Sequence, residues 1–170
     1  AQSIDNTVFL RLSGRERLQW IHQLPFEKMD SAQIATTLNG LLALAESKKD
    51  NRSIFVLQYH RFLQREKLAL PEAAIFRLLS ELKNLSDQQG WKIEQIVAGH
   101  YLTFQRYTTN RLPHEQMYLE VIKTFEHLEE QGFENFRDYG VEQILYHLGR
   151  FMWDLGDFEK AFQSLLEIGR

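Results

Sequence analysis

The chain contains no cysteine, so it can form no disulfide bond, no thiolate nucleophile and no zinc–thiolate site. Only 3 of its 170 residues are proline and only 9 are glycine, which excludes long linkers rich in helix breakers. No run of 18 apolar residues occurs, so we expect no membrane insertion in this segment. A basic surplus is also missing: the formal net charge is −3, which argues against a nucleic-acid partner.

Motifs for catalysis and metal binding are missing as well. The sequence holds neither a Gly-x-Ser-x-Gly nucleophile elbow nor a glycine-rich phosphate loop, and its six histidines form no helical two-histidine zinc motif. His60 and His100 lie on helices of similar pattern, but two histidines without a third ligand make a weak metal site. We expect the histidines to be hydrogen-bonded or exposed rather than bound to a metal. We therefore predict a protein that is not an enzyme and has no metal and no cofactor.

Helical periodicity is the dominant feature of the sequence. Apolar residues recur at spacings of three and four in four stretches: 34–45, 75–85, 117–128 and 158–168. Between them lie three stretches, 53–63, 96–107 and 141–155, that would be apolar around most of the circumference of a helix. Such helices are expected to be buried on more than one side. We predict an all-α protein whose first 13 residues are an extension and whose eight helices span these ranges: 14–24, 31–48, 51–67, 71–89, 91–109, 113–131, 138–155 and 157–170.

The predicted helices come in pairs that recur along the chain. Ile54 and Tyr59 are matched 42 residues later by Ile96 and Tyr101. A recurring two-helix unit is typical of a solenoid, because one unit cannot bury its own apolar face and must stack on its neighbours. The alternative is a generic helical bundle.

The last pair resembles a known repeat. Leu148-Gly149, Met152 and the run Gly-Asp-Phe-Glu-Lys-Ala at 156–161 are similar to the tetratricopeptide consensus. In this resemblance the small residues Gly149 and Ala161 stand where the two helices of a repeat cross closely, and the Gly-Asp pair makes the turn between them. The resemblance implies an α-α superhelix, a tetratricopeptide-like solenoid of about four helix pairs over residues 14–170.

The resemblance is uneven along the chain. It is weak over 14–48, partial over 51–131 and strong over 142–170. Tyr101 occupies the repeat position that Gly149 holds in the last pair. Because tyrosine is much larger than glycine, we expect the two helices of the earlier pair to lie further apart. Counted from Glu142, a repeat of about 34 residues would run past Arg170, and we expect the array to continue in a longer protein.

The resemblance also implies a partner-binding groove, because the first helix of each tetratricopeptide repeat lines a concave surface. Carrying the register over from the last repeat predicts these partner-binding residues: Ser53, His60, Gln64, Gln95, Leu102, Gln105, Arg106, Gln143, Tyr146, Arg150 and Trp153. Trp, Tyr and Arg dominate binding energy at protein interfaces. Trp153 has an alternative role, which is packing against a following repeat. Gln143, Tyr146 and His147 do not match the carboxylate clamp of the chaperone-binding members of the family.

These observations predict a non-catalytic protein–protein interaction module that binds a protein or a peptide. The run Trp-Asp-Leu-Gly-Asp-Phe-Glu-Lys-Ala at 153–161 resembles repeats that precede the membrane span of bacterial two-component sensor kinases. That resemblance implies the extracytoplasmic sensory or scaffold segment of a bacterial signalling protein. A start at Ala1 fits signal-peptide cleavage and predicts a periplasmic or exported location, with a cytoplasmic one as the alternative. The alternative function is self-association, a homodimer formed through an exposed C-terminal helix.

Overall fold

The computed structural model of the protein describes residues 6–109 and 111–169. All regular structure in these residues is helical and none is a β-strand, which confirms the all-α prediction. The chain forms two compact units, of which the first ends at Gln88 and the second begins at Gln89. Among the described residues, no helix combines the length and apolarity needed to cross a membrane.

The first unit is built from five α-helices and a short 3-10 turn, Phe26–Lys28. The helices are α1 Asn6–Arg11, α2 Gly14–His22, α3 Ser31–Ser47, α4 Asn51–Leu63 and α5 Glu72–Gln89, whose last residue lies just past the boundary. Helix α4 packs against both α2 and α3 and is buried around most of its girth, as its sequence predicted. Helix α1 lies in the stretch read as an extension, and its Phe9 is fully buried in this unit.

The second unit holds four α-helices and the 3-10 segment Phe133–Tyr139. The helices are α6 Lys92–Thr108, α7 His114–Gln131, α8 Val141–Asp154 and α9 Phe158–Ile168. Each helix packs on the next one along the chain. Helix α8 begins three residues later than predicted because Gly140 adopts a left-handed conformation with φ of +66°. The 3-10 segment before it buries Phe136 and Tyr139.

The crossing of α8 and α9 is the tightest point of the second unit. A Cβ atom on Gly149 would lie 3.1 Å from Leu165 Cγ and 3.3 Å from the Ala161 carbonyl oxygen. Gly156 turns the chain with φ of +85°, and the Asp157 carboxylate caps α9 by accepting a hydrogen bond from a backbone N–H. The predicted close crossing at Gly149 and Ala161, with a tight turn between the two helices, is therefore confirmed.

Candidate interaction surface

The predicted binding residues of the first unit are mostly covered. Ser53 is fully buried, and its Oγ donates a hydrogen bond to Asp50 Oδ2 at 2.7 Å. His60 is 8% exposed, and its burial and the neighbouring His22 lower the pKa of His60 to about 3. Gln64 is half-buried at the end of α4. Ser53 and His60 therefore present almost no surface to a partner.

Helix α6 contributes a mixed set. Gln95 and Leu102 are half-buried, and Gln105 is only 9% exposed. Arg106 is the one predicted residue of this helix whose side chain is exposed. The predicted residues of α6 do not form a continuous exposed face.

Helix α8 presents all four of its predicted residues to solvent. Gln143, Tyr146, Arg150 and Trp153 are spaced by three or four residues, which places them on one face of the helix. Tyr146 is 47% exposed and Trp153 is 60% exposed. The other side of α8 is buried, so the helix has one buried and one exposed face, although its apolar residues predicted cover around most of its girth.

A second exposed stripe lies on α9, and the binding-residue prediction did not include it. Its four large apolar side chains are 42–64% exposed: Phe158, Phe162, Leu165 and Leu166. The side of α9 that faces α8 carries Ala161 and Ser164, which are buried, and the Leu165 side chain lies partly over Gly149. Phe158, Phe162 and Leu166 are more exposed than Leu165.

Trp153 and Phe158 join the α8 face to the α9 stripe. Their ring centroids lie 4.7 Å apart with the ring planes at 68°, an edge-to-face geometry favoured by aromatic pairs. We call the joined set the aromatic surface: Tyr146, Trp153, Phe158, Phe162, Leu165 and Leu166. With each side chain roughly half exposed, these six side chains together expose on the order of 500 Å² of apolar area.

The described residues show no arrangement for metal chemistry, since no group of three or more potential His, Asp or Glu ligands comes together among them. No family model, no curated protein and no solved structure matches the chain. Any function proposed for the aromatic surface therefore rests on its geometry and on the sequence.

Proposed function

We propose that the protein is a non-catalytic interaction module and that a protein or peptide partner binds the aromatic surface of the second unit. The observation that carries the proposal is the joint exposure of six large apolar side chains on α8 and α9. Covering about 500 Å² of apolar area would contribute on the order of 10 kcal/mol before the costs of association are subtracted. Because association costs a comparable free energy, a stable complex also needs polar contacts and close packing from the partner.

The proposal extends to the architecture and the setting of the protein. We infer that the helix pairs are tetratricopeptide-like repeats of a superhelix, and the close crossing at Gly149 supports this inference for the last pair. An extracytoplasmic sensory or scaffold role in a bacterial signalling protein is supported by the sequence resemblance around 153–161. A periplasmic or exported location is part of the same proposal.

Trp153→Ala tests the proposed surface. Because Trp153 is 60% exposed, its truncation should leave the helical content unchanged, and losing the aromatic pair with Phe158 should lower the unfolding free energy by only about 1 kcal/mol. It should weaken binding of a partner isolated with the wild-type chain at least tenfold, as central aromatic residues of interfaces do.

The matched control is Leu119→Ala, which truncates an apolar residue on α7 that is 66% exposed and lies outside the aromatic surface. Its partner affinity should equal that of the wild type. Equal affinities for Trp153→Ala and Leu119→Ala would overturn the assignment of the surface.

Self-association is the second candidate, and the spacing of the α9 stripe favours it. Phe158, Phe162 and Leu165 follow one another at four and three residues, the spacing of a seam between paired helices. Sedimentation over a range of concentrations tests it. A dimer that Phe162→Glu dissociates would support this candidate, and a wild-type chain that stays monomeric at high concentration would exclude it.

A further inference from the structure

A buried histidine pair links two helices in the first unit. His60 Nε2 on α4 lies 3.0 Å from His22 Nδ1 at the end of α2. His60 is 8% exposed, whereas His22 is half-buried. The ring of Phe26 covers His60 at a centroid distance of 5.2 Å, and Tyr59 contacts it edge-on. The pair thus sits among aromatic rings.

The second unit repeats the arrangement with the same two ring atoms. His100 Nε2 on α6 lies 3.2 Å from His147 Nδ1 on α8. His100 is 2% exposed, and His147 is half-buried. Phe104 stacks on His147 at 4.5 Å, and the side-chain amide of Gln143 lies 2.8 Å from His147 Nε2. In both units a buried histidine is hydrogen-bonded to a histidine nearer the surface.

The chemistry of such a pair limits how many protons it can hold. Two neutral imidazoles carry two ring protons, and one of these lies between the facing nitrogens and makes the hydrogen bond. A third proton turns the histidine nearer the surface into a cation and preserves the bond, because its Nδ1–H can donate to the neutral buried ring. A fourth would place N–H groups on both facing atoms and two cations in a buried site, so the bond would break.

Burial and the partner histidine both disfavour a positive charge on each buried member. His60 faces His22 from α2 and Tyr59 from its own helix. Phe26 covers the His60 ring, and the Lys67 ammonium donates a hydrogen bond to the backbone carbonyl of Phe26. A histidine, a phenol and a cation offer no negative charge at neutral pH.

The surroundings of the second pair are of the same kind. His100 faces His147 from α8 and Tyr101 from its own helix, and Tyr146 lies beside His147. Burial and the neighbouring histidine lower the pKa of His100 to about 3, as they do for His60. Both buried histidines therefore stay neutral in the folded chain.

We propose that each histidine pair is an acid-sensitive clamp that holds α2 to α4 in the first unit and α6 to α8 in the second, and that it opens as the solution is acidified. Helix α8 carries His147 on one side and Tyr146 and Trp153 on another, so opening the second clamp releases the helix that bears two of the six residues of the aromatic surface. Acid release of a bound partner follows, and this last step rests on the proposed function.

The expected size of the effect follows from linkage. An opened histidine regains an ordinary pKa near 6.5, so protonation favours the open form progressively below that pH. Between pH 7.5 and pH 5.0 the open fraction of each clamp should rise about thirty-fold.

Amide hydrogen exchange on the full chain without a partner tests the clamp. After correction for intrinsic exchange rates, protection of α8 should fall about thirty-fold from pH 7.5 to pH 5.0. His100→Gln, which removes the buried titrating group, should lose most of this dependence. His114→Gln alters an exposed histidine at the start of α7 and should behave like the wild type.

A second measurement keeps the proposal testable if His100→Gln does not fold. In wild-type NMR spectra the His100 ring should not titrate above pH 4 in the folded form, because its pKa is lowered to about 3. An ordinary titration of His100, or α8 protection that His100→Gln leaves equally pH-dependent, would overturn the clamp. Because neither readout involves a partner, a failed clamp and a failed interaction surface give different results.

Discussion

Arg17 ties together the ends of two helices through one side chain. Its guanidinium donates hydrogen bonds to the carbonyls of Phe9 and Leu12, at 3.0 and 2.9 Å, and to Asp50 Oδ2 at 2.5 Å. Asp50 in turn caps α4 by accepting from Ser53. Burial raises the pKa of Asp50, but the hydrogen bonds from Ser53 and Arg17 outweigh it and the pKa is lowered. The carboxylate is therefore ionised at neutral pH.

Removing this guanidinium should destabilise the fold. In Arg17→Ala, Asp50 would keep its charge in a site where its side chain is only 17% exposed, and we expect a loss of about 3 kcal/mol in unfolding free energy. Urea unfolding at pH 7 measures it. Arg15→Ala, on the exposed side of α2, is the control and should cost less than about 0.5 kcal/mol. Equal losses in the two variants would show that the Arg17 contacts contribute nothing.

Sequence reasoning found only part of these residue-scale contacts. His60 and His100 were recognised as lying on similar helices, but their partners His22 and His147 are 38 and 47 residues away. A period of three or four residues describes one helix and carries no signal for a contact between two helices. Arg17 was missed for the same reason, since its partner Asp50 belongs to another helix.

At the scale of elements, the helices were predictable because periodicity and turn residues agree. Their ends fall within about four residues of the predicted ends, the ordinary uncertainty of such boundaries. Helix α1 was missed because its six residues, Asn6–Arg11, are shorter than the window in which a helical period can be recognised. Ser53 and Gln105 were expected to face a partner but are buried. A register taken from the last repeat does not transfer to helices that are covered around most of their girth.

The α8–α9 crossing gives a prediction for one glycine. Gly149→Val would push a branched side chain against the Ala161 carbonyl and Leu165, and we expect a loss of about 2 kcal/mol beyond that of Arg150→Val. Arg150→Val places the same side chain on the exposed face of α8, away from the crossing. Because glycine is a poorer helix former than arginine, helix propensity alone would make Gly149→Val the less costly change. Thermal or urea unfolding of both variants measures the difference. Equal stabilities would mean that α8 and α9 do not approach as closely as described.

At the scale of the whole molecule, the sequence predicts one helical array over 14–170, and the structure adds a division of the chain into two compact units. The pattern of apolar residues shows which face of a helix needs cover but not which helix covers it. Only two of the six residues of the aromatic surface were predictable for that reason. Tyr146 and Trp153 followed from the register of α8, while the α9 stripe became evident only once the small residues of α9 were seen to occupy its contact with α8.

The most direct test of the interaction role is hydroxyl-radical footprinting of the dilute chain at pH 7.5, with and without its partner. In the free chain Trp153, Phe158 and Phe162 should be oxidised readily, because each is more than half exposed. Partner binding should protect these three side chains and leave Leu119 unchanged. Weak oxidation of the three in the free monomer, or oxidation that the bound partner does not reduce, would contradict the role assigned to this surface.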